Sequence, residues 1–187
     1  MRAFVAIGLV FGWLLSAGGA STATAGLTGA FWQAGTFDSN TLAEAKGIGA
    51  TRTPDAIFRA TTLDYPQRLA DTAAAPAGFA DFLGTDAASV LSDTILDIPG
   101  YALGNNWVMR FTGLIETTPG DRLFEVRSDD GFELSTGSVV RDQVTRGSIF
   151  GPRTPVSVTM PAGPVSFEFI FYDAAAALSG LSCVSMG

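Results

Sequence analysis

The chain has 187 residues and a formal net charge of −7, because 18 acidic residues outnumber 11 basic ones, and it contains no histidine and one cysteine. These counts exclude Ser-His-Asp and Cys-His catalysis within the chain, and they exclude zinc sites built on clusters of histidine and cysteine. With a single lysine and an acidic balance, the chain also lacks the positive surface that nucleic acid or anionic lipid would need. Carboxylate chemistry and hard, oxygen-binding cations such as calcium remain.

The first 25 residues have the pattern of a secretory signal peptide. One positive side chain, Arg2, precedes an apolar run from Phe4 to Leu15, and small residues follow. The apolar run is short for a membrane span, and its flanks suit export. We therefore predict a signal peptide at residues 1–25, cleaved after Ala25 or, as an alternative, after Ala20. A retained N-terminal anchor is the competing interpretation.

Residues 26–187 are predicted to form a single domain, secreted, periplasmic or on the cell surface, with no membrane span after signal cleavage. Helical periodicity is scarce in this part. The run "SNTLAEAKG" predicts one short helix, with Ser39 or Asn40 as its cap and Gly47 as its stop. The run "GFADFLGTDAASV" predicts one or two further helical turns.

The rest of the chain reads as short strands separated by glycine and proline turns. The strands "WVMRFTGLIET" (Trp107 to Thr117) and "RLFEVRSD" (Arg122 to Asp129) flank the turn "TPGD" and are predicted to form a hairpin. "FELST" and "SVVRDQV" predict a second pair around Gly137, and "PVSVTM" and "VSFEFIFYD" predict a third. This pattern indicates an all-β fold, an antiparallel β-sandwich or barrel with one or two short helices.

A few single residues add to this picture. Trp32 and Trp107 are predicted to lie in the core, because aromatic side chains at strand positions usually fill a sandwich. Arg110 is predicted to lie on a strand beside Arg127 and to neutralise acids such as Glu125. The lone Cys183 has no internal disulfide partner, so it predicts a small buried side chain, with intermolecular pairing as the alternative.

The adjacent acids Asp129 and Asp130, followed by Gly131, are the candidate site. Successive side chains of a strand point to opposite faces, so two neighbouring carboxylates converge only if the backbone is irregular. A turn at Gly131 with backbone angles forbidden to other residues would achieve this, and so would a cis peptide between the two acids. Two converging carboxylates repel each other and favour a cation, for which calcium is suited.

Two other interpretations of this pair stay open. Asp-Gly is a frequent turn pair, so a solvated β-turn accounts for the same residues. An acid-base pair for glycoside hydrolysis is the third, although such carboxylates come from separated positions rather than from sequence neighbours.

The stretch "NNWVMRFTGLIETTPGDRLFEVRSDDGFELSTGSVVRD" resembles the middle of the protective-antigen domain family, the PA-fourteen domain. The opening "GLTGAFWQ" and the closing strand "VSFEFIFYD" resemble the two ends of that domain, so the likeness spans most of residues 26–187. The family is a β-sandwich found in yeast flocculins, in bacterial glycosidases and in exported bacterial surface proteins.

The resemblance implies a function. In the flocculin branch the two aspartates are joined by a cis peptide and bind calcium, which binds sugar hydroxyls. By that likeness Asp129 and Asp130 are metal ligands. From their position beside the pair, Gly131 and Phe132 are predicted to complete a ligand-binding site, with Phe132 either stacking on a sugar or forming its rim. The implied protein is a non-enzymatic module that binds a glycan or cell-surface polysaccharide. The alternative is a structural or adhesive envelope protein in which the acid pair stabilises a loop, and self-association stays open.

Overall fold

A computed structural model describes residues 26–35, 37, 40–61, 63–65, 78–95, 106–128, 130–145, 151–152, 155–174 and 181–186. The predicted signal segment and Asp129 lie outside these residues. None of the helices in the described part is long and apolar enough to cross a membrane.

The described part of the chain is dominated by antiparallel strands, as predicted. They are β1 (Leu27–Gln33), β2 (Ala56–Ala60), β3 (Asp64–Tyr65), β4 (Val90–Asp93), β5 (Trp107–Thr117), β6 (Gly120–Ser128), β7 (Phe132–Thr136), β8 (Val139–Val144), β9 (Gly151–Pro152), β10 (Val156–Met160), β11 (Gly163–Asp173) and β12 (Leu181–Met186). One sheet has seven strands in the order β4-β2-β1-β5-β11-β7-β8, and the other has the order β10-β6-β12-β3, with β9 paired to β6.

The main hydrophobic core lies between the two sheets. Alternate residues of β11 face it, including Phe167, Phe169 and Phe171, and they meet Phe124 and Val126 from β6 in the opposite sheet. This alternation is what the period of two in the sequence predicts. Because one cluster of buried residues joins both sheets, the fold is a β-sandwich, and the all-β prediction is confirmed.

A helix covers part of the outer face of the seven-stranded sheet. Helix α1 (Leu42–Thr51) begins after Thr41, whose side chain accepts a hydrogen bond from the Glu44 backbone N–H. Its buried Leu42 and Ala45 pack with Trp32 and three other buried residues in a second core cluster. The predicted helix is confirmed, but its cap is Thr41, and it continues past the predicted stop at Gly47.

A second helical segment closes one side of the main core. Helix α2 (Phe79–Leu83) is followed by a 3₁₀ turn (Gly84–Ser89), which confirms the predicted helical turns. The turn carries Asp86, which is fully buried and accepts hydrogen bonds from the Tyr65 and Thr61 hydroxyls at 2.5 and 2.6 Å. These bonds satisfy the buried carboxylate and tie the turn to β3 and to the residue that follows β2.

Two of the three predicted strand pairs are wrong. Strands β5 and β6 belong to different sheets, and so do β10 and β11, so each connection crosses the sandwich instead of closing a hairpin. The Thr117 hydroxyl donates to the backbone oxygens of Pro161 and Gly163, at 2.6 and 3.0 Å, and holds the two crossings side by side. The pair around Gly137 is a true hairpin, in which Gly137 and Ser138 both have positive φ.

The predicted partner of Arg110 is also wrong, for the same reason. Arg110 lies on β5 and donates to the carboxylate of Glu168 on the neighbouring β11 at 2.8 Å. The side chains of Glu125 and Arg127 lie outside the described residues, as does that of Cys183.

Candidate functional site

The candidate site lies at one end of the seven-stranded sheet. Strands β1 and β11 end there, while β5 and β7 begin there, so Gln33 pairs with Trp107 and Trp107 pairs with Asp173. The chain enters β7 through the predicted acid pair and Gly131. Antiparallel pairing therefore brings four segments that are distant in sequence to one edge.

Asp130 is buried at this edge, with 6% of its surface exposed. Its Oδ2 accepts a hydrogen bond from the backbone N–H of Ala174 at 2.7 Å. The bond ties the turn before β7 to the residue that follows β11. A buried carboxylate held by a backbone donor keeps one orientation, which suits either a ligand site or a structural tie.

Gly131 is required because its position has no room for a side chain. A Cβ atom there would lie 2.3 Å from Cε1 of Tyr172 and 2.6 Å from the backbone oxygen of Val144. Gly131 is not among the glycines with positive φ, so the expected special backbone angle is not the reason for the glycine. The close approach of the chain to a buried ring is the reason.

Tyr172 connects the turn to the loop before α1. It is fully buried, its backbone N–H donates to the Gly131 oxygen at 3.1 Å, and its hydroxyl donates to the backbone oxygen of Asn40 at 3.1 Å. Its ring also packs against Phe37, with the ring centroids 5.4 Å apart. One tyrosine thus contacts both segments that border the edge.

Asn40 has two unusual features. Its φ is +47°, in the left-handed region that asparagine tolerates better than most residues. Its side-chain Oδ1 is buried and has no hydrogen-bond partner in the part of the chain that the structure describes. Such an unpaired acceptor costs about 1–3 kcal/mol, so it calls for an explanation. The sequence showed Asn40 only as a candidate helix cap, and no motif marked it as a site residue.

Phe132 does not lie at the surface of the site. Its ring is fully buried in the main core, and its centroid lies 5.9 Å from that of Phe169. It is the first residue of β7 and faces inward between the sheets, so its ring is not presented to a sugar. We therefore correct the expectation that Phe132 stacks on a ligand or forms the rim of its site.

The neighbouring strand ends are held together by a network of polar contacts. Asn106 accepts from the backbone N–H of Ala34 at 2.7 Å, and its side chain donates to the Gly35 oxygen at 2.8 Å. The Gln33 backbone N–H donates to the carboxylate of Asp55 at 2.7 Å. These bonds hold the end of β1 to the residues that precede β5 and β2.

The carboxylate of Asp130 is an oxygen ligand of the kind that a hard cation such as calcium accepts. Within the described residues, no three Asp, Glu or Cys side chains form a metal-binding group. Asp129, the other predicted ligand, lies outside these residues, so the acid pair itself stays a prediction.

Among the comparisons with known proteins, the one with solved structures identifies the fold. Neither a family model nor a curated protein sequence matches the chain. Among solved structures, the PA14 sugar-binding domain from an RTX adhesin is 23% identical, with a TM-score of 0.68 over 88% of this chain and 90% of that domain. The PA14 domain of the antifreeze protein MpAFP is 20% identical, with a TM-score of 0.70 over 86% of this chain and 81% of that one.

A more distant match is an anti-sigma factor domain-containing protein. It is 12% identical, with a TM-score of 0.54, and the match covers 88% of this chain and 43% of that protein. At these identities the likeness establishes the fold. The chain has the PA14 fold, and the predicted resemblance to the protective-antigen domain is confirmed at that level.

Proposed function

We propose that this chain, whose fold is that of the PA14 domains, is an exported module that binds a glycan through calcium held by Asp129 and Asp130. It acts by binding and carries out no catalysis. The proposal is supported by the sugar-binding description of one structural neighbour, which comes from an adhesin. It is also supported by the absence of histidine from the sequence, because Ser-His-Asp and Cys-His catalytic sites both need a histidine.

The buried carboxylate of Asp130 is the observation that carries the proposal. A charged group is costly to bury unless it is paired or hydrogen-bonded, and its Oδ2 has the Ala174 N–H as one partner. Gly131 and Tyr172 hold the backbone beside it so closely that a methyl group would not fit. The close packing at Gly131 therefore restricts where the neighbouring carboxylate of Asp130 lies.

The residues of the turn have separate roles in this proposal. Asp129 and Asp130 hold the cation, and Gly131 allows the close approach of Tyr172 that sets the position of the turn. A calcium ion bound at the pair would offer its remaining coordination positions to sugar hydroxyls. Phe132 supports the turn from within the core and does not contact the ligand.

The alternative is a structural or adhesive envelope protein in which the acid pair only stabilises a loop. One observation favours it specifically: the Asp130 carboxylate bonds to the backbone at Ala174, so it already joins the turn to the end of β11. A carboxylate with this role needs no sugar, and the tie would persist with or without metal.

A glycan array tests the proposal. The purified protein is applied in calcium and in chelator, beside a variant in which Asp129 and Asp130 are both changed to asparagine. We expect binding that requires calcium and is lost in the variant, because the amides keep the size of the side chains but lose their charge. Binding that is equal in calcium and chelator would contradict the role of the cation. No glycan binding in either condition, together with a calcium-dependent rise in melting temperature, would favour the structural alternative.

A further inference from the structure

No further inference is drawn: the strongest candidate, the buried side-chain oxygen of Asn40 in the loop between β1 and α1, has no partner among the described residues, but nothing in the structure shows what it faces.

Discussion

Gly131, the glycine beside the acid pair, lies where the protein has no room for a Cβ atom. A side chain at Gly131 would meet the buried ring of Tyr172 and the backbone oxygen of Val144, and neither can move freely. We expect Gly131→Ala to lower the free energy of unfolding by about 2–3 kcal/mol, the usual range for overpacking. Chemical denaturation of the purified variant measures this loss.

The matched control for that substitution is Gly47→Ala. Gly47 lies within α1, is exposed and has no atom within 4 Å of an added Cβ. Alanine at such a helical position should raise the free energy of unfolding by about 0.5–1 kcal/mol. Equal effects of the two substitutions would contradict the crowding at Gly131.

The two carboxylates make a separate prediction. Changing both Asp129 and Asp130 to asparagine should abolish calcium binding. In chelator, the change at Asp130 should cost about 1 kcal/mol, because an amide oxygen accepts the Ala174 N–H less strongly than a charged carboxylate does. This loss is offset in part by relief of the repulsion between the two acids.

Thermal melts of the wild type and of this double variant, in calcium and in chelator, provide the measurement. The wild type alone should gain stability from calcium, by about 2.7 kcal/mol at a hundredfold excess over the dissociation constant. Wild-type melts that are identical in the two conditions would leave the pair as an ordinary turn.

At the scale of elements, helix α1 is joined to strand β7 by the single lysine of the chain. The Lys46 ammonium lies 2.8 Å from the carboxylate of Glu133, whose side chain is 11% exposed, while that of Lys46 is 48% exposed. Glu133 follows the acid pair by three residues. The ion pair therefore holds the helix against the strand that begins at the site.

A double-mutant cycle with Lys46→Met and Glu133→Gln tests this contact. We expect a coupling of about 1 kcal/mol, because removing the ammonium leaves a mostly buried carboxylate without that partner. The same cycle at Arg110 and Glu168, whose side chains are 40% and 39% exposed, should give at most about 0.5 kcal/mol. A larger coupling free energy for Arg110 and Glu168 than for Lys46 and Glu133 would contradict the assigned role of the Lys46 pair.

At the scale of the whole molecule, the first 25 residues make a prediction that is independent of the fold. A fusion of residues 1–25 should carry a reporter protein out of the cytoplasm, because a positive residue, an apolar run and small residues follow in that order. N-terminal sequencing of the mature protein should begin at Gly26 or Ser21. A cytoplasmic product with Met1 intact would contradict the proposed export.

Much of the fold could be predicted from local patterns in the sequence. The alternation of apolar residues identified the inward faces of β6, β10 and β11, because side chains of a strand alternate between two faces whatever its partners are. The hairpin at Gly137 was also predictable, because a glycine between two short strand patterns is a local turn signal, and Gly137 and Ser138 both have the positive φ that such a turn uses. The resemblance to the protective-antigen domain rested on a motif within this same region.

Strand partners were decided by the tertiary structure. A strand pairs with whichever neighbour completes a buried face, and that neighbour is often distant in sequence, so the turns after β5 and β10 gave no sign that they cross between sheets. The site depends on the same long-range pairing. Asn40, Asp130 and Tyr172 are brought to one edge only when β7 and β5 pair with β11, and when the hydroxyl of Tyr172 reaches the loop before α1. The sequence by itself determined the residue types available for binding, while the packed sheets decided which of them meet, because contacts between distant segments exist only once the core has formed.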